Sequence, residues 1–201
     1  MKKCIGILLL VLALLGGAIL GTWLFGNSFY AQTRKRLERP FTRSELIVCV
    51  EKDGDVLHSA YQALSEDGQT TITYTFEEFS LFEQKDGVYV APSSRKETAQ
   101  GSVLIENGQS HITKGKEPPL SVEMITFANV SFQKPYFENT TITENTFEAD
   151  VIDAQALPWL PDGCRSVHLK LSFDQTHVQA VHLTFVTAQG SNADLQFSFT
   201  Y

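Results

Sequence analysis

The feature that most constrains this chain is a long apolar run near its N-terminus. From Ile5 to Phe25 the sequence contains no charged residue. A helix rises about 1.5 Å per residue, so this run is long enough to cross a hydrocarbon core of roughly 30 Å. Because lipid cannot hydrogen-bond an exposed backbone, the sequence predicts a membrane-spanning helix. The residues taken to anchor it are Ile5, Leu10, Leu15, Leu20, Trp23 and Phe25.

A cleaved signal peptide is the alternative interpretation of the same run. Signal peptides have apolar regions of about 7–15 residues, and here the apolar residues continue well past the small residues Gly16 and Ala18. We therefore expect an uncleaved signal anchor and a single-pass protein of the cell membrane. Lys2 and Lys3 favour a cytoplasmic N-terminus, which places the C-terminal domain outside the cytoplasm.

Charge divides the remainder of the chain. Residues 27–42 contain a basic cluster and are predicted to form a juxtamembrane linker, whereas residues 1–26 form the anchor. Residues 44–201 hold 9 basic and 22 acidic residues, so residues 43–201 are predicted to be one acidic extracytoplasmic domain. Such a domain repels phosphate backbones, which argues against nucleic acid as a partner and leaves the membrane as the expected one.

The start of this domain has two interpretations. Thr42 and Glu45 have the spacing of a helix capping box, and apolar residues then follow at nearly helical intervals. This pattern predicts an amphipathic helix over residues 43–65. The alternative is a β-hairpin, because a β-branched stretch comes directly before Asp53-Gly54, a dipeptide typical of tight hairpin turns.

The rest of the domain has the alternation of β-strands. An Asn107-Gly108 pair between two apolar stretches predicts a hairpin. Near the C-terminus, three stretches alternate between apolar and polar residues, which indicates antiparallel strands with one dry face and one wet face. The register that keeps like faces together sets Leu169 opposite Leu183 and Lys170 opposite His182.

Together these patterns predict an α+β fold: a transmembrane helix, then an amphipathic helix packed on a curved antiparallel sheet, a meander with the form of a half-barrel. The strands that carry this pattern are Ser166–Phe173, Ala180–Thr187 and Asp194–Tyr201, preceded by Phe147–Trp159. The arrangement resembles the bacterial half-barrel lipoprotein carriers, meaning the outer-membrane lipoprotein chaperone type and its mycobacterial lipid-carrier relatives. The resemblance implies a curved sheet that holds acyl chains, although this chain lacks a cysteine for lipidation after its apolar run.

No pattern for catalysis is present, so we expect no enzyme activity and no cofactor. No serine lies in a Gly-x-Ser-x-Gly motif, and no phosphate-binding glycine loop occurs. His168 and His182 are expected to be diagonal neighbours on the wet face, but a third metal ligand is not evident. We therefore predict no metal site.

Two cysteines fall in the domain. If it faces an oxidising compartment, Cys49 and Cys164 are candidates for a disulfide; the alternative is two unpaired thiols.

Aromatic residues in the middle of the chain suggest a ligand site. They either fill the core or line an apolar pocket for a lipid or another apolar ligand. The candidate ligand-binding residues are Phe127, Phe132, Tyr136, Phe137 and Trp159. The sequence thus favours an anchored protein that binds an apolar ligand; the alternative is a structural or interaction module at the cell envelope, which binds a protein partner and has no pocket.

Overall fold

The computed structural model of the protein describes residues 29–79, 83–85, 88–90 and 96–201. A helix, α1, occupies residues 29–37, and a single short turn of helix, α2, spans Val122–Ile125. Two 3₁₀ turns lie at Lys134–Tyr136 and Ala154–Ala156. The strands are β1 (Arg43–Lys52), β2 (Asp55–Glu66), β3 (Gln69–Phe79), β4 (Glu83–Lys85), β5 (Val88–Val90), β6 (Lys96–Glu106), β7 (Gln109–Gly115), β8 (Phe137–Ile142), β9 (Thr146–Val151), β10 (Arg165–Phe173), β11 (Val178–Val186) and β12 (Asn192–Thr200).

Ten of these strands form one antiparallel sheet. Their order is β7-β6-β3-β2-β1-β12-β11-β10-β9-β8, and β4 and β5 form a separate two-stranded ribbon. Most neighbours in the large sheet are also close in sequence. The exception is the central pair, where β1 lies beside β12 and Leu46 is opposite Phe197.

The predicted α+β fold class is wrong for the start of the domain. Residues 43–65, predicted to be an amphipathic helix, form β1 and most of β2, so the described chain is mainly β-sheet. Asp53 and Gly54 have φ angles of 53° and 87°, as the turn of a tight hairpin requires. The β-branched residues around Val48 favour a strand, and their packing outweighs the local capping pattern of Thr42 and Glu45.

The predictions for the later hairpins are confirmed. Leu169 is paired with Leu183, and Lys170 is paired with His182. Asn107 and Gly108 form the turn between β6 and β7, both with positive φ. From Val167 to Phe173 in β10 and from Val181 to Phe185 in β11, apolar and polar residues alternate, so a shift of one residue there would turn the apolar side chains to the open face.

The sheet has one buried face and one open face. On the buried face, alternate residues of the central strands are almost fully inaccessible; examples are Leu46, Ile72, Leu183 and Leu195. The open face carries the residues between them, including exposed histidines, carboxylates and threonines. The buried face is therefore where the core lies.

Helix α1 supplies part of the cover of the buried face. Phe29 and Tyr30 are buried, and Phe29 stacks on Phe147 with 5.9 Å between ring centroids. Thr33 is fully buried as well. The helix that packs on the sheet is therefore not the predicted one over residues 43–65; it comes from the segment predicted to be a basic linker.

No helix in the described part of the chain is long and apolar enough to cross a membrane. For the described residues, this finding contradicts the predicted transmembrane helix and, with it, the single-pass topology and the cell-membrane localisation. The residues named as the anchor, Ile5 to Phe25, lie outside the described residues.

Candidate apolar binding site

A cavity of about 430 Å³ opens at one end of the buried face. Its walls come from the end of α1, the α2 turn and the strand ends nearby. The apolar side chains that line it include Leu37, Phe41, Val122, Phe127, Val178 and Phe199. Ligand pockets commonly have volumes of about 300–1,000 Å³ and mainly apolar walls, so this cavity has the size and character of a small-molecule site.

The α2 turn places Phe127 in this cavity. Ser121 caps the turn, since its side chain accepts a hydrogen bond from the backbone N–H of Met124 at 3.2 Å. The chain then leaves the turn through Phe127, whose φ of 52° is uncommon for a bulky residue. This conformation points the ring toward β12, where its centroid lies 5.1 Å from that of Phe197.

Trp159 supports this loop from the other side. Its indole N–H donates a hydrogen bond to the carbonyl of Ala128 at 2.8 Å, and its ring lies 5.7 Å from that of Phe127. The indole therefore fixes the segment that carries Phe127. Trp159 itself is not among the residues that line the cavity.

The lining also contains polar groups. Arg39 and Glu123 line the cavity, together with Asn129 and Tyr201. Arg39 Nη1 lies 3.4 Å from His177 Nε2, and the His177 ring stacks on Tyr201 with 4.1 Å between centroids. The cavity thus combines apolar walls with a cation near its edge.

Hydrogen bonds hold the strand ends beside Arg39. The Tyr201 hydroxyl donates to the carbonyl of Val178 at 2.9 Å, and burial raises the pKa of this tyrosine. Asp174 accepts backbone N–H bonds from Thr176 and His177, which lower the pKa of its carboxyl to about 2. The β10–β11 turn therefore presents His177 in a fixed position.

The five predicted ligand-binding residues are divided between this cavity and the core. Phe127 lines the cavity, whereas Phe132 and Phe137 pack against Phe147 at centroid distances of 4.7 and 5.2 Å. Tyr136 is half-buried and donates a hydrogen bond to Gln155 Oε1 at 3.0 Å. The structure therefore gathers these aromatic residues in one region but puts only one of them in the wall.

Several wall residues were not identified from the sequence. Leu37 and Phe41 both belong to residues 27–42, the segment predicted to be a juxtamembrane linker. Phe199 belongs to the clear alternation of β12, so its inward direction was predictable, but its place in a cavity was not. Cavities form where elements distant in sequence meet, and no local pattern encodes such a meeting.

The histidines of the open face pair with carboxylates. His168 Nδ1 lies 2.8 Å from Asp150 Oδ1 and its Nε2 lies 3.2 Å from Glu148 Oε1, while His182 Nε2 lies 3.0 Å from Asp194 Oδ2. Hydrogen bonding to Asp150 raises the pKa of His168; burial opposes this effect in part, and hydrogen bonding to Glu148 raises the pKa further. Among the described residues no group of three or more His, Cys, Asp or Glu side chains is placed to hold a metal ion.

Cys49 and Cys164 are free thiols in this structure, so the candidate disulfide is not formed. Cys49 lies on the open face of β1, where its Sγ is 3.3 Å from His58 Nδ1. Cys164 packs at the edge of the core. Burial, together with the nearby Asp162, raises the pKa of the Cys164 thiol.

Comparisons with known proteins find a remote structural likeness. No family model matches the chain, and no curated protein matches it. Among solved structures, it is similar to a DUF1329 family protein from Desulfovibrio piger, at 9% sequence identity and a TM-score of 0.30. The alignment covers 87% of this chain and 92% of the other. A TM-score this low does not establish a shared fold, so the proposals below rest on this chain's own residues.

Proposed function

We propose that the protein is a binding protein for a small apolar ligand with an anionic group, and that the ligand occupies the cavity beside Phe127. The observation that carries this proposal is the cavity of about 430 Å³, with apolar walls and Arg39 in its lining. Apolar walls supply affinity through burial, at roughly 25 cal/mol per Å². A guanidinium favours a carboxylate or phosphate, since it offers paired N–H donors. A fatty acid is the simplest ligand of this class.

The test uses cis-parinaric acid, a fluorescent fatty acid, titrated into the full chain. Val122→Trp puts a bulky side chain in the wall and is expected to weaken binding at least tenfold, because it occupies the ligand's volume. Val151→Trp is the matched control, since Val151 is also half-buried but lies on β9, outside the lining. Equal affinities for the wild type and Val122→Trp would contradict the proposed site.

A second pair of variants tests the anionic group. Arg39→Gln is expected to weaken fatty-acid binding about tenfold, which corresponds to ~1.4 kcal/mol, while leaving binding of the matching fatty alcohol unchanged. Arg36→Gln is the control, because Arg36 lies over the Phe173 ring and donates to the Gln175 carbonyl instead. If Arg39→Gln weakened the acid and the alcohol equally, the arginine would have no role in charge recognition.

An interaction module is the second candidate, and the edge strand β7 favours it. All seven residues of β7 are exposed, and a groove of about 560 Å³ runs beside it, lined by Val103, Ile112 and Leu120. A strand at the edge of the sheet, next to a groove with both polar and apolar walls, suits the addition of an extended peptide. Photo-crosslinking from position 112, with the exposed position 152 just after the end of β9 as the control, would detect such a partner.

A further inference from the structure

The open face carries a pair of metal-binding side chains that the proposed ligand site does not use. Cys49 on β1 and His58 on β2 are directly opposite each other in the register. Their Sγ and Nδ1 atoms lie 3.3 Å apart. The thiol is half-buried and the imidazole is exposed, so both can be reached from solvent.

The spacing of these two atoms suits one cation. Zinc binds thiolate sulfur at about 2.3 Å and imidazole nitrogen at about 2.0 Å. With those bond lengths, donors 3.3 Å apart subtend an angle of about 100° at the metal, which is close to tetrahedral. The pair therefore supplies two corners of a tetrahedral zinc site without a large movement of either strand.

One copy of the chain leaves this site incomplete. Structural zinc takes four ligands, and the described residues contain no third His, Cys, Asp or Glu side chain placed to join the pair. A second copy related by a two-fold axis would bring an identical pair, which completes a Cys₂His₂ set. Two-fold symmetric contacts of this kind are the commonest form of homo-oligomer.

The surface around the pair fits a second copy. The next row of the open face pairs Ile47 with Ala60, and Ile47 is 54% exposed. Leu64, on the same face of β2, is 42% exposed. A groove of about 560 Å³ runs past Ile47 and Ala60. A metal-bridged dimer would bury these exposed apolar side chains together with the polar pair Glu45 and Gln62 between them.

Acidic residues around Cys49 and His58 oppose the association of two copies in the absence of a metal. Asp194 is directly opposite Cys49 on its other side, and the Glu77 carboxylate accepts the backbone N–H of His58 at 2.9 Å. Two such acidic faces repel each other, whereas a divalent cation between them offsets that repulsion. We propose that Cys49 and His58 bind zinc at the interface of a homodimer formed through the open face of β1 and β2. Binding displaces the thiol proton to solvent, so it strengthens as pH rises.

The test is the molar mass of the full chain in solution, by light scattering after size exclusion, with zinc and then with excess EDTA. The chain has three cysteines, so Cys4→Ser and Cys164→Ser are combined to leave Cys49 as the single thiol. We expect zinc to double the molar mass relative to the EDTA sample, at one zinc per two chains. Cobalt in place of zinc should give the intense near-ultraviolet absorption of thiolate coordination.

Two variants on different strands separate the site from a folding defect. Cys49→Ser and His58→Gln, added to the single-thiol background, are each expected to abolish the zinc-dependent change in mass and the cobalt absorption. His111→Gln, at an exposed histidine of β7, is the matched control and should behave like the background. Circular dichroism checks that every variant keeps its strand content.

The outcomes that overturn the proposal are specific. A mass that does not respond to zinc excludes the dimer. One zinc bound per chain without dimerisation also overturns it, because the second copy is then not a source of ligands. A zinc response that persists in both Cys49→Ser and His58→Gln would assign the metal to other residues. None of these results tests fatty-acid binding beside Phe127, so failure of the zinc-bridged dimer would leave the proposed function unaffected, and the reverse.

Discussion

His168 Nδ1 lies 2.8 Å from Asp150 Oδ1, in a pair formed between directly opposite residues of β9 and β10. Glu148 approaches the other ring nitrogen at 3.2 Å, and Lys170 in turn contacts Glu148 at 3.3 Å. This cluster lies at the solvent surface, with about 40% of the His168 side chain exposed. We therefore expect the contribution of this cluster to the free energy of unfolding to depend on pH.

The first prediction concerns that pH dependence. The pKa of His168 is raised, so the folded state binds its proton more tightly than the unfolded chain does. The stabilisation that protonated His168 contributes is fully present below the ordinary histidine pKa of about 6.5. It is lost as pH rises through the raised pKa that His168 has in the folded state. The pKa values of Asp150 and Glu148 are lowered, so the stabilisation from these carboxylates is fully present above their ordinary pKa of about 4 and is lost as pH falls below it.

His168→Gln should therefore reduce the free energy of unfolding most between about pH 5 and 6.5, with the wild-type advantage disappearing at higher pH. The effect should lie within the roughly 0–1 kcal/mol range of surface ion pairs. Urea unfolding at several pH values measures it, with His111→Gln as the control. A loss that is constant across the whole range would show that the pair acts through packing.

The second prediction concerns Tyr61. Its hydroxyl is buried and has no hydrogen-bond partner among the described residues, and burial raises its pKa to about 12. A buried, unsatisfied hydroxyl costs stability. Tyr61→Phe is thus expected to be neutral or to raise the free energy of unfolding by up to ~1 kcal/mol.

Tyr74 provides the opposite case in the same cluster. Its ring lies 5.9 Å from that of Tyr61, but its hydroxyl donates to the carbonyl of Lys116 at 2.6 Å. Tyr74→Phe should cost ~1 kcal/mol, because it removes a hydrogen bond and leaves the carbonyl unpaired. Chemical denaturation of the two variants side by side gives the comparison. Equal losses would mean that Tyr61 also has a partner.

A further prediction concerns the close packing of β6 at Gly101. A Cβ atom at this position would lie 2.5 Å from Tyr74 Oη and 2.6 Å from the carbonyl oxygen of Lys114. Because the carbonyl belongs to the backbone of β7, the clash cannot be relieved by a rotamer change alone. Gly101→Ala should lower the free energy of unfolding by roughly 1–3 kcal/mol, against little change for the neighbouring exposed Gln100→Ala. Thermal unfolding of both variants decides it.

The last prediction tests the aromatic core. Phe147 is fully buried and contacts the rings of Phe29, Tyr30, Phe132 and Phe137. Phe147→Ala should cost about 3–5 kcal/mol, through lost burial and the cavity left behind. Ile152→Ala, at a residue that is 56% exposed, should change stability by less than ~0.5 kcal/mol. Guanidinium unfolding curves give both values, and a small loss for Phe147 would show that the core relaxes to fill the space.

The parts of this fold that were predictable are those in which local pattern and packing agree. From Val167 to Phe173 in β10 and from Val181 to Phe185 in β11, apolar and polar residues alternate, so the pairing of Leu169 with Leu183 was predictable from the sequence. In β1 the signals conflict, because Thr42 and Glu45 imitate a helix start whereas Val48 and its neighbours favour a strand. Tertiary pairing with β12, about 150 residues away in sequence, settles that conflict, and no local window contains it.

The candidate site was predictable only in part. Phe127 was correctly placed near other aromatic residues, but its entry into a cavity depends on a positive φ that the sequence does not signal. Leu37 and Phe41 reach the same cavity because α1 packs across the sheet. The Cys49–His58 pair was missed because the region was assigned to a helix, in which residues nine apart do not face each other.

The position of β1 beside β12 has a consequence for how the protein folds during its synthesis on the ribosome. Each half of the sheet is built from strands that follow one another along the chain, so β1 to β3 and β8 to β11 can assemble as they emerge. The central β1–β12 pair cannot form until β12 has been translated, and β12 follows all the other described strands in the sequence. Until then, the edge of β1 and the edge of β11 are both open, and this interval is when the nascent chain is most exposed to wrong pairing.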